Sequence, residues 1–124
     1  MQNIEAHYDF DNPDNAVFSA MLGEVPCYSA AIFDENNVSL PDAQRNKIAT
    51  IIRKLSVEEG QRVLDIGSGW GVLTKELALR GCDVTGITLS REQLEFCKHL
   101  SVGSPAERYL LADYRTFLST TDSL

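Results

Sequence analysis

The stretch from Val63 to Gly71 constrains the fold most, because Val-Leu-Asp-Ile-Gly-Ser-Gly-Trp-Gly runs a short apolar segment straight into three glycines at alternate positions. Val63, Leu64 and Ile66 read as a strand. Trp70, Leu73 and Leu77 then recur at helical spacing until Gly81 stops the helix. The pattern repeats at once. Val84 to Ile87 reads as a second strand, and Ser90 with Gln93 at the third position after it forms a capping box that opens a helix. Leu94, Cys97 and Leu100 supply that helix's apolar face, and Arg108 to Leu111 reads as a third strand. Strands alternating with helices over short connections imply right-handed crossovers and a parallel sheet, hence an α/β fold.

Upstream, the first forty residues are rich in Asn, Asp, Ser and Pro, yet they carry Tyr8, Phe10, Phe18, Leu22, Tyr28, Ile32 and Phe33. That aromatic content predicts a segment that wraps onto the domain. Asp14 or Asn15 caps a short helix through Leu22, ended by Gly23 and Pro26. Pro41 opens a longer helix in which Ile48, Ile51, Ile52 and Leu55 form one buried stripe, with Arg45, Lys47, Arg53 and Lys54 on a solvated face. The organisation expected is an N-terminal segment over residues 1–40 and a sheet domain over 41–124, together one compact core.

Composition removes several classes of function. A formal charge of -7 repels nucleic-acid phosphates, so no nucleic-acid partner is expected. Cys27, Cys82 and Cys97 form no C-x-x-C pair and leave an odd thiol, which argues against a disulfide framework or a metal site and for a reducing cytoplasm. No apolar run approaches the roughly twenty residues that cross a bilayer, which leaves peripheral contact with a membrane open.

Glycines where a strand turns into a helix allow positive φ and close approach of a ligand, and ligands of open parallel sheets bind beyond the carboxyl ends of the strands. Bare N–H groups of the loop are expected to face such a ligand. A ligand-free tight turn is the plainer reading of the same glycines. A dinucleotide site wants G-x-G-x-x-G, but the third glycine comes one residue early, at Gly71. It also wants an acid at the end of the second strand, and Gly86-Ile87-Thr88-Leu89-Ser90 holds no carboxylate. Asp65, just before the loop, is placed to accept a hydrogen bond from a cationic amino group or from loop N–H groups.

His7-Tyr8-Asp9, Tyr28-Ser29, Ala43-Gln44 with Lys47, Leu64-Asp65-Ile66-Gly67, Gly69-Trp70-Gly71 and Gly86-Ile87-Thr88-Leu89-Ser90 with Gln93 together resemble the cyclopropane-fatty-acid synthase family, which includes the mycolic acid cyclopropane synthases. The resemblance covers nearly the whole chain in order. It implies a Rossmann-like class I methyltransferase fold with an N-terminal helical lid, truncated after about the third strand. It also implies S-adenosylmethionine as cofactor and S-adenosylhomocysteine as product.

By that resemblance Tyr28 and Ser29 contact the cofactor from the lid, Asp65, Gly67 and Gly69 hold its methionine part, and Ser68 and Gly71 of the same loop are also cofactor-binding. Thr88, Leu89 and Gln93 meet the ribose, and Asp113 and Tyr114, with Arg115, lie beside the adenine. Plainer readings stand beside these: Tyr28 as core, Gln93 as a capping-box residue and Asp113 as a turn residue, while His7 reads as a surface or hydrogen-bonded histidine before a catalytic one. Family members transfer the sulfonium methyl to a lipid double bond, giving a carbocation that loses a proton, with a bound bicarbonate as proton acceptor. Ala30 stands where the family has a cysteine at the bicarbonate site, which weakens the case for ring formation. The resemblance implies that the family's Glu-His pair lies beyond Leu124, so the residues that act on the acceptor are not assigned, and an uncovered first strand is expected to favour self-association. Two alternatives remain, a cofactor-binding module without catalysis and a small-molecule methyltransferase on the same scaffold.

Overall fold

The computed structural model describes residues 22–36, 39–101 and 106–120. They fall into two compact units, one ending at Val57 and one beginning at Glu58.

In the first unit, Gly23 at φ 64 terminates the helical turn at Leu22, the stop read from the sequence. The start of that helix, together with His7, Tyr8, Phe10 and Phe18, lies outside the described residues. Helix α1 spans Leu40–Leu55, and its N-cap Ser39 accepts a hydrogen bond from the Asp42 N–H (3.3 Å). Its buried face differs from the expected stripe. Ala43, Gln44, Lys47 and Ile48 are buried, whereas Ile51 and Ile52 are half-buried and Leu55 is exposed.

Lys47 thus moves from the expected solvated face to the interior, while Arg45, Arg53 and Lys54 are exposed as expected. The reason is polar. Gln44 Nε2 donates to the carbonyls of Cys27 (3.1 Å) and Ser29 (3.0 Å), and Lys47 Nζ donates to Ser29 Oγ (2.7 Å). The irregular segment before α1 has carbonyls that no ladder satisfies, and the side chains facing it must supply donors.

The second unit is a parallel sheet of β1 (Arg62–Ile66), β2 (Asp83–Thr88) and β3 (Glu107–Leu111), in the order β1-β2-β3. Helix α2 (Val72–Ala78) crosses from β1 to β2 and α3 (Arg91–Leu100) from β2 to β3. Leu77, Cys82, Val84 and Ile87 are fully buried, and Leu94, Cys97 and Tyr109 form a cluster between α3 and β3. The register sets Asp65 beside Gly86 and Gly86 beside Tyr109, so these three residues form one row across the sheet.

No helix was expected after Leu111, but Tyr114–Thr120 forms α4. The Asp113 carbonyl accepts from the N–H groups of Thr116 (3.1 Å) and Phe117 (2.8 Å), and its Oδ1 from the Arg115 N–H (2.9 Å). Asp113 therefore starts the helix, a role close to the turn reading. Among the described residues no helix is long and apolar enough to cross a membrane.

Candidate cofactor site at the carboxyl ends of the strands

Parallel strands in register end level with one another, so whatever follows each strand gathers along one edge. Asp65 and the glycine loop follow β1, Thr88 closes β2 with Leu89 after it, and Asp113 and Tyr114 follow β3. Ten of the twelve residues expected at the cofactor therefore belong to this edge of one unit: Asp65, Gly67, Ser68, Gly69, Gly71, Thr88, Leu89, Gln93, Asp113 and Tyr114. Tyr28 and Ser29 belong to the first unit, where both are exposed and Ser29 is bonded to Lys47. The core reading of Tyr28 is excluded by its exposure of 45%.

The loop is tied down from inside. Gly67 N–H (2.9 Å) and Ser68 N–H (3.0 Å) both donate to the Ile87 carbonyl at the end of β2, and Gly71 N–H donates to the Ser68 carbonyl (2.9 Å). This corrects the expectation of bare amides, because those three are already engaged by the protein. The loop instead offers open space on its outer side. Gly67 and Gly69 have φ of 77 and 55, and a Cβ at Gly67 would meet nothing within 4 Å while one at Gly69 would meet only the Gly67 carbonyl at 3.9 Å. That uncovered backbone is the cradle a ligand can approach closely. The buried Ser68 side chain points inward, since a Cβ on Gly86 would stand 2.9 Å from Ser68 Cβ and 3.1 Å from its Oγ.

Asp65 is half-buried, and burial raises its pKa above the ordinary carboxylate value, while the Thr74 hydroxyl, donating to Asp65 Oδ2 at 2.7 Å, acts in the opposite direction. Thr74, fully buried in the first turn of α2, was not singled out in the sequence. Its only signal there would have been a hydroxyl residue on the face of the helix that carries Leu77, nine residues after the acid.

At the end of β2, Thr88 Oγ1 accepts from the Ser90 N–H (3.2 Å) and donates to Gln93 Oε1 (2.8 Å), while Ser90 Oγ accepts from the Gln93 N–H (3.1 Å). The serine half of the capping box forms as expected. Thr88 takes both the Ser90 amide and the Gln93 carbonyl oxygen, so all three side chains, each buried, fix the turn from strand to helix. After β3, Asp113 accepts from Arg115 Nε (3.0 Å) and Nη2 (2.6 Å), and that side-chain pairing holds its carboxyl down at about 2. Tyr114 next to it is exposed.

The family model for mycolic acid cyclopropane synthetase matches residues 1–124. Methoxy mycolic acid synthase MmaA3 of Mycobacterium tuberculosis is 30% identical over 128 residues, covering 100% of this chain and 43% of its own. A sphingolipid C9-methyltransferase of Gibberella zeae is 36% identical over 121 residues, covering 92% of this chain and 23% of its own. Among solved structures, mycolic acid cyclopropane synthase CmaA1 complexed with SAH and CTAB superposes with a TM-score of 0.82 at 32% identity, over 94% of this chain and 41% of that one. Coclaurine N-methyltransferase bound to N-methylheliamine and SAH gives 0.76 at 27% identity, over 93% and 36%. The chain thus spans less than half the length of each of these relatives. The match along all 124 residues and the shared parallel-sheet architecture agree: the chain belongs to the mycolic acid cyclopropane synthetase family and has the class I methyltransferase fold.

Proposed function

We propose that this chain carries the S-adenosylmethionine site of a methyltransferase that acts on an unsaturated lipid acyl chain. The observation that carries the reading is the open cradle at Gly67 and Gly69, set directly after a half-buried Asp65 whose carboxylate is fixed by Thr74. These residues fit the group. Asp65 is oriented to accept from a cationic amino group, the glycines leave room for a methionine moiety, and Leu89, Asp113 and Tyr114 line the same edge for the nucleoside. Family membership and relatives solved with bound S-adenosylhomocysteine support the same cofactor.

When bound, the cofactor supplies an electrophilic sulfonium methyl. An alkene is a weak nucleophile, so the protein's contribution is to orient the methyl donor and to exclude water. A loop anchored to β2 at two amides and to α2 through Asp65 is suited to that. A bicarbonate proton acceptor would have to be held by backbone at Ala30, which offers no side-chain donor. The same alanine, with the likeness to an amine methyltransferase, favours as second reading a small-molecule acceptor on this scaffold.

Titration calorimetry with S-adenosylhomocysteine and with NAD tests the cofactor assignment. Saturable heat with the first and none with the second is expected, and the reverse would overturn it. Transfer of labelled methyl to unsaturated phospholipid vesicles, against a panel of small amines, separates the two acceptor classes.

A further inference from the structure

The row Asp65–Gly86–Tyr109 runs under the glycine loop, and its two ends hold what lies above it. Asp65 secures α2 through Thr74. At the other end the Tyr109 hydroxyl stands 3.3 Å from the Gly71 carbonyl oxygen and 2.5 Å from Glu107 Oε1. Beside it, the Cys97 thiol donates to the Gly69 carbonyl (3.5 Å). Tyr109 and Cys97 are both buried, and a Cβ built on Gly71 would lie 2.6 Å from the tyrosine oxygen and 2.9 Å from the cysteine sulfur. The Gly69 and Gly71 carbonyls are thus met by side chains from α3 and β3, the Gly71 carbonyl also accepting from the Lys75 N–H (2.9 Å).

We propose that Tyr109 and Cys97 form a polar latch under the cofactor loop, with Tyr109 the positioning residue that sets where Gly69 and Gly71 present their backbone to S-adenosylmethionine. The proposal rests on the cofactor reading above. Gly69 and Gly71, at φ 55 and 81, have no side chains of their own, and their inner face must be held by neighbours if their outer face is to fit a ligand. Tyr109 has one hydrogen to give, and it is shared between the Gly71 carbonyl and the closer Glu107 carboxylate two residues along the same strand. Glu107 thereby fixes the hydroxyl's position, and the hydroxyl sets the height of Gly71. Burial raises the pKa values of both Tyr109 and Cys97, with Cys97 pushed up to about 12, so each remains a neutral donor.

The test uses Tyr109→Phe, which keeps the ring and removes the hydroxyl, and Glu107→Gln, which keeps an acceptor for it. S-adenosylhomocysteine affinity is read by calorimetry, and amide hydrogen exchange is followed at Gly69 to Gly71 and at Val84 to Ile87. Tyr109→Phe is expected to weaken affinity about three- to tenfold, the worth of one hydrogen bond, and to speed exchange in the loop while β2 stays protected. Glu107→Gln is expected to retain affinity within about twofold, since its amide oxygen still accepts from the hydroxyl. Unchanged affinity in Tyr109→Phe, or loop and β2 amides loosening together, would overturn the latch and leave Tyr109 a core residue. If Tyr109→Phe does not fold, exchange in the unsubstituted protein decides: a Gly71 amide that exchanges freely while β2 is protected would refute the latch. Failure of the unsubstituted protein to bind S-adenosylhomocysteine would refute the cofactor reading, and the exchange experiment would still judge the latch.

Discussion

Gly69 and Gly71 stand two residues apart in one loop and are glycines for different reasons. Gly69 has open space around its absent Cβ, so a side chain there would meet the ligand and not the protein. Gly69→Val is expected to abolish S-adenosylhomocysteine binding, and a β-branched residue at φ 55 adds about 1–3 kcal/mol of backbone strain. Gly71→Ala meets Tyr109 and Cys97 at once, so its first symptom should be lost stability, seen as a lower melting temperature before any ligand is added. Equal loss of stability in both variants, with binding retained in Gly69→Val, would reduce the loop to a turn. Two carboxylates of the same edge should respond to acid with opposite sign. The Asp113 value is depressed by Arg115, so its stabilisation is complete above the ordinary value of 3.8 and is lost as pH falls towards about 2. Asp65 is raised by burial, so its ionisation costs stability as pH rises through the range just above 3.8. Acid unfolding of Asp113→Asn should therefore lack the loss below 3.8, and Asp65→Asn should lack the penalty above it.

At the scale of elements, α2 lies on β2 only because Gly86 has no side chain. A Cβ there would come within 2.8 Å of Thr74 Oγ1 and 2.9 Å of Ser68 Cβ, so Gly86→Ala should destabilise by about 1–3 kcal/mol in denaturant titration. Because it displaces the hydroxyl that fixes Asp65, it should also weaken the cofactor although Gly86 never touches it; binding unchanged at lowered stability would break that link. The alternation of strands and helices was legible because apolar periodicity survives without tertiary context, as β1, α2, β2, α3 and β3 each show. What escaped was polar. Thr74, Gln44 and Lys47 are buried because they serve specific partners, and periodicity records only apolar residues. Helix α4 escaped for a related reason: it is short and mostly exposed, begun by an Asp113 that sequence alone equates with a turn. The edge that gathers the ten candidate residues was legible through motif order, but the inward ties of the Gly67 and Ser68 amides to Ile87 were not, since they depend on where β2 ends.

At the scale of the whole molecule, the strand that bears the cofactor loop is also, among the described residues, the edge of the sheet. Among the described residues β1 pairs with β2 on one side and with no strand on the other. Its side chains are the wrong ones for a solvated edge: Val63 and Leu64 are half-buried, and Ile66 is 53% exposed. Natural edges are usually blunted by lysine, proline or a bulge, and an apolar edge strand offers unpaired N–H and C=O groups to any other strand. The 124-residue chain in solution should therefore self-associate through β1. Light scattering over a dilution series would show mass rising with concentration, and hydrogen exchange would show Val63 to Ile66 gaining protection as it does. Ile66→Lys places a charge on an already exposed position, so it should shift the association to higher concentration while leaving the β2 amides protected. A monomer at every concentration, with the β1 amides protected throughout, would mean that another segment of the same chain lies along that edge. The association would then be absent because the strand is already covered.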